Sequence, residues 1–108
     1  MILTTSEHVH GHEITHTLGL VRGASIRTRH LGADITEWFR NLVGSELSHY
    51  TKMMAEAREE ALGRMQDEAR QMGANAVVQI RFTTSAIAAG ASEMLAYGTA
   101  VRLESDDS

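Results

Sequence analysis

Met65-Gln66-Asp67-Glu68-Ala69-Arg70-Gln71-Met72-Gly73-Ala74-Asn75-Ala76-Val77-Val78-Gln79-Ile80-Arg81-Phe82 is the stretch that decides the fold. Up to Met72 the apolar residues recur every three or four positions, and from Ala76 they follow a period of two. Reading back from Met72, the positions Ala69, Met65, Ala61, Ala57, Met54, Tyr50 and Leu47 draw one stripe down a helix. Ser45 can cap its start, and Glu46 places a negative charge in its first turn, where the helix dipole favours one. Such a helix is on the order of 40 Å long. Gly73 suits the left-handed position that ends it, and a strand over Ala76–Thr84 follows at once.

The solvent side of the helix carries Lys52, Glu56, Arg58, Glu59, Glu60, Arg64, Asp67 and Glu68. Lys52/Glu56, Glu60/Arg64 and Arg64/Glu68 stand four apart, close enough to pair. This run is read as a solvated face. Upstream, Ile14 to Arg29 reads as extended chain interrupted at Gly19 and Gly23, which predicts a bulged or bent strand. Asp34-Ile35-Thr36-Glu37 carries a capping pattern. It opens a short helix with apolar Ile35, Trp38, Phe39, Leu42 and Val43, ended by Gly44. Downstream, Ser85 to Ser92 reads as a small-residue loop, and the last strand runs from Glu93 to Leu103.

The order strand, helix pair, strand, strand predicts a two-layer α+β unit, one domain over 1–108 with its core at about 14–103. The two final strands pair as a hairpin, and the helical crossover joins parallel strands. In the last strand Leu95, Tyr97, Thr99, Val101 and Leu103 point one way. Met94, Ala96, Gly98, Ala100 and Arg102 point the other, so both faces are small or apolar. A face left to water is normally polar at most positions. The second face therefore needs a cover: another copy of the chain, or else the first helix or the N-terminal segment folded over it. Open sheet edges also favour pairing between copies.

Composition removes several functions. With 43% hydrophobic residues but 5% aromatic, the core is built from Ala, Leu, Ile, Val and Met. A net charge of −4 gives no electrostatic case for nucleic acid or an anionic membrane. The absence of Cys rules out disulfides, thiolate metal sites and a cysteine nucleophile. No apolar run has transmembrane length and the first residues do not read as a signal peptide, so a cytoplasmic location is expected.

His8, His10, His12 and His16 form the one cluster suited to a divalent transition metal, Zn²⁺, Ni²⁺ or Cu²⁺. Alternate residues of a straight strand stand nearly 7 Å apart, so a shared ion needs a bend at Gly11 or donors from several subunits. The alternative is a polar N-terminal segment with no ligand. Glu7 and Glu13 could form an acid–base or outer-shell pair with these histidines. Met54, Met65 and Met72 lie on the apolar stripe, and Met53 beside it; they are read as packing rather than as Cu(I) ligands. Gly19-Leu20-Val21-Arg22-Gly23 lacks the ending of a phosphate-binding loop. No motif sets a nucleophile against a base, so the chain is expected not to be an enzyme.

Arg40-Asn41-Leu42-Val43-Gly44, Tyr50, Ala57-Arg58-Glu59 and Ala69-Arg70-Gln71-Met72-Gly73-Ala74-Asn75-Ala76-Val77-Val78 resemble the YbjQ family, also labelled a heavy-metal-binding domain. Gly19 to Gly23 and Gly98-Thr99-Ala100-Val101 are similar to its first and last strands. The resemblance implies a β-α-β-β unit with an antiparallel sheet, the last strand lying between the other two. It also implies a homopentamer helped by extra short strands. Taken with the two apolar sheet faces and the missing catalytic motif, this predicts a ring-like homo-oligomer with ligand or metal binding at subunit interfaces. The chain departs from the pattern at Ser45, where a second Gly is common, and at Gln79, where a small residue is common. The histidine-rich start is not a family feature, and the family supplies no functional residues to carry over.

Overall fold

The computed structural model describes residues 1–28, 45–88 and 91–104, with side chains for 1–27, 51–88 and 91–104. Its elements are β1 (Ile2–Leu3), β2 (Ile14–Thr28), α1 (Ser45–Gln71), β3 (Ala76–Ala88) and β4 (Ala91–Leu103). The short helix expected near 34–43 lies outside the described residues. The sheet order is β1-β3-β4-β2, so the last strand does lie between the other two long ones. The fold is α+β with one described helix against a mixed sheet, because β1 joins β3 in parallel at Ile2/Ala76 and Leu3/Val77. An all-antiparallel sheet is thereby corrected. The described helix is not apolar enough to cross a membrane.

The helix stops as its sequence dictates. Gly73 has φ +86°; its N–H donates to the Arg70 carbonyl at 3.0 Å, and the Ala74 N–H donates to the Ala69 carbonyl at 3.0 Å. This crossed pair satisfies the last carbonyls of the helix. Arg102 adds a cation at the same end by donating to the Gly73 carbonyl at 3.0 Å. Asn75 then fixes the start of β3. Its side-chain amide donates to the Leu103 carbonyl at 3.2 Å and accepts from the Leu103 N–H at 2.7 Å.

The core between helix and sheet gathers Ala57, Ala61, Met65 and Ala69 of α1 with Val21, Val77, Ile80, Met94, Ala96 and Ala100. Small helix residues let α1 sit close to β2. A Cβ on Gly23 would lie 2.2 Å from the Ala61 carbonyl oxygen and 2.4 Å from the Met65 nitrogen. Gly23 therefore marks a close approach, not a bulge, and the β2–β4 register runs through it unbroken. The irregularities of β2 sit earlier, between Ile14 and His16 and between Thr17 and Gly19.

The other face has its own cluster of Ala76, Val78, Val101 and Leu103, covered by Val9 and Ile14. The N-terminal segment thus covers one end of this face, as one of the two alternatives required. Towards the hairpin nothing described covers it: Leu20 is 65% and Ile26 54% exposed. The expected small-residue loop is largely strand. Ser85, Ala86 and Ala88 pair with Glu93, Ser92 and Ala91, because the ladder to β4 outweighs the weak strand preference of Ser and Ala.

Gly23→Ala is expected to destabilise the fold by about 1–3 kcal/mol, since backbone must give way to the new methyl. Gly63→Ala, with nothing within 4 Å of its added Cβ, should instead stabilise by roughly 0.5–1 kcal/mol. Urea unfolding at fixed protein concentration checks both signs.

Candidate functional site

Three places hold polar chemistry. The first is the histidine-rich start. Gly11 adopts φ +84°, and the His12 N–H donates to the Val9 carbonyl at 3.1 Å, so the segment does bend where a shared metal would require it. His8 and His12 line one surface cleft of about 570 Å³ with Glu13 and Glu104. His8 Nε2 lies 3.1 Å from the Glu7 carboxylate, both groups exposed. His16 sits on β2, its Nδ1 3.1 Å from the Thr15 hydroxyl, and His10 is exposed. Among the described residues no three His, Asp or Glu side chains are close enough together to hold an ion. One chain brings His8 and His12 into the same cleft and, among the described residues, does not complete a ligand set.

The second is a charged seam between α1 and β2. Arg27 Nη2 donates to Glu60 Oε2 at 2.8 Å, and Arg64 Nη2 reaches Glu60 Oε1 at 2.7 Å. Arg64 Nη1 also donates to the Ala24 carbonyl on the outer edge of β2. Of the helix pairs expected four apart, Glu60/Arg64 forms. Part of the supposed solvated face is therefore a pin between layers, which spacing along one helix could not reveal.

The Arg27 hydrogen bond, then the charges of Arg27 and Arg64, hold the Glu60 carboxyl below its ordinary value of 4.5 against the opposing effect of desolvation. The wholly buried Ser25 hydroxyl, without a hydrogen bond of normal geometry, faces the same carboxylate and adds least. A carboxylate with a lowered folded pKa stabilises the fold above its unfolded value, and loses that effect as pH falls through the folded one. The stability gap between the wild type and Glu60→Gln should thus be widest near pH 7 and close below about pH 4.5. Urea titrations at both pH values measure it.

The third place is the uncovered half of the sheet. Arg22 of β2 and Arg81 of β3 both pair directly with Tyr97 of β4, so the three side chains stand in one row on the face away from α1. A bulge sets this row. Gln79 has φ +54°, a left-handed conformation that costs a non-glycine residue about 1–2 kcal/mol. The register of β3 jumps between Val78 and Arg81. Ile80 is thereby turned into the helix-side core and Arg81 to the opposite face. Gly98 makes room: a Cβ there would lie 2.8 Å from Val77 Cγ1 and 3.2 Å from Ile80 Cγ1.

Of the other candidates, Met65 is fully buried and Met54 packs against the core, as packing residues should. Met72 is 38% exposed. The side chains of Trp38, Phe39 and Tyr50 lie outside the described residues.

A family model described as "Putative heavy-metal-binding" matches residues 1–104. A "UPF0145 protein" of Thermosipho africanus is 52% identical over 104 residues, 96% of either chain. Another from Methanosarcina acetivorans is 53% identical over 103 residues, 95% of this chain and 97% of the other. Among solved structures, a protein of unknown function of the DUF74 family from Pediococcus pentosaceus superposes with a TM-score of 0.67. It covers 96% of this chain and 98% of its own at 16% identity, a likeness of fold alone. On the match along nearly its whole length, this chain belongs to the YbjQ family of UPF0145 proteins.

Proposed function

We propose that this chain is a non-enzymatic, self-assembling binding protein: a homo-oligomer, five subunits in a ring, that holds a small ligand or a divalent transition metal on the surfaces its subunits enclose. The observation that carries the reading is the outer edge of β3. Beyond the N-terminal segment, which reaches Gln79 and Ile80 through the Ser6 and Thr4 carbonyls, no described residue pairs with it. From Arg81 to Ala88 all eight side chains are exposed, with Phe82 39% and Ile87 51% accessible. Long bare edges that carry neither proline nor acidic residues invite pairing with another chain.

The dimensions support the same reading. The Cα radius of gyration is 17.3 Å, against about 13 Å for a compact domain of this length. A chain this extended leaves surface that a neighbour must cover. The number five rests on the family resemblance. Light scattering at micromolar concentration should give five times the chain mass, and a stable monomer would overturn the assembly.

The bend at Gly11 favours a second reading, in which His8, His10, His12 or His16 bind a transition metal with donors from adjacent subunits completing the set. Calorimetric titration with Zn²⁺, Ni²⁺ and Cu²⁺ is expected to show binding that a four-His-to-Ala variant loses. Equal affinity in both proteins would remove the histidines from the role.

A further inference from the structure

We propose that the row Arg22–Tyr97–Arg81 binds a nucleoside monophosphate, its base stacked on Tyr97 and its phosphate held by an arginine. The inference names the ligand of the binding role proposed above and rests on that reading. Tyr97 is 37% exposed at the centre of the row, with half-buried Leu95 in the row on one side and exposed Leu20 in the row on the other. An exposed ring bordered by apolar side chains on a flat sheet is a stacking surface. The arginines flank it one strand away on either side, about 10 Å apart across two strand spacings.

Their states differ usefully. Arg81 Nη1 donates to the Thr5 and Ile80 carbonyls, each at 2.8 Å, which anchors one nitrogen of the guanidinium and leaves the others available. Arg22 is exposed and makes no ion pair or hydrogen bond with any described residue. A guanidinium presents paired donors that match a phosphate, and a second one can lie over the base. The left-handed Gln79 is the independent observation. A strained bulge that brings Arg81 into register with Tyr97 costs stability, and strain of this kind clusters at functional sites.

Charge limits the ligand's size. The chain carries −4 overall, and Glu93 stands on the same face between Ile26 and Ser85, about 13 Å along β4. Glu68 and Glu93 also line the cleft of about 520 Å³ that Arg22 borders. A long polyanion would meet more of these carboxylates than one ring with one phosphate.

Calorimetry of the full chain with adenosine 5′-monophosphate at low salt tests the site. Binding should weaken at least ten-fold in Arg22→Gln and in Tyr97→Leu, and Arg22→Lys should recover part of the loss. Adenosine alone and ribose 5-phosphate alone should each bind at least ten-fold more weakly than the intact nucleotide. Arg81→Gln can loosen the N-terminal segment, so Arg22→Gln, with circular dichroism unchanged, is the deciding variant. No binding of the nucleotide, or wild-type affinity in Arg22→Gln or in Tyr97→Leu, overturns the proposal. So does tighter binding of a ten-nucleotide oligoadenylate, which would favour single-stranded nucleic acid. Light scattering on the same samples separates the claims: a monomer that binds defeats assembly alone, and an oligomer that does not defeats this site alone.

Discussion

Everything else in the subunit depends on how closely α1 lies on β2. The helix backbone at Ala61 and Met65 occupies the space where any residue but glycine at position 23 would place its Cβ. That contact sets the height of the helix above the sheet, and the height dictates the core. Among the described residues the helix buries Ala57, Ala61 and Ala69 beneath it with one long side chain, Met65. It also brings Arg64 within reach of the Ala24 carbonyl and Glu60 within reach of Arg27. The polar seam follows from the apolar packing.

Much of this was legible in the chain. The stripe from Ala57 to Ala69, the glycine stop and the change of period at Ala76 correspond to α1, the crossed cap and β3. These signals are local, decided by residues within a turn or two of one another. What failed to show was set by partners distant in sequence. Gly23 reads as an interruption until the helix that rests on it is known. Ser85 to Ala88 read as loop because their strand state comes from β4. Ile2 and Leu3 enter the sheet through partners far along the chain, Ala76 and Val77.

The candidate sites divide in the same way. The histidines were conspicuous by spacing, yet one chain does not gather them into a ligand set among its described residues. The arginine–tyrosine row was invisible for a geometric reason. Counting by twos from Val78 places Ile80 and Phe82 beside Tyr97; the extra residue at Gln79 puts Arg81 there instead. Alternation predicts facing residues only while the register holds.

The strand order has a kinetic consequence. The β3–β4 hairpin joins neighbours in sequence, whereas β2 must return from far upstream to pair Ile14 with Leu103 and Thr28 with Ala91. Closing so large a loop is slow relative to zipping a hairpin. During that interval the hairpin offers two bare edges, first to β2 and then to any strand nearby. The rate at which β2 arrives, rather than the final stability of the subunit, then governs the yield of soluble protein at high concentration.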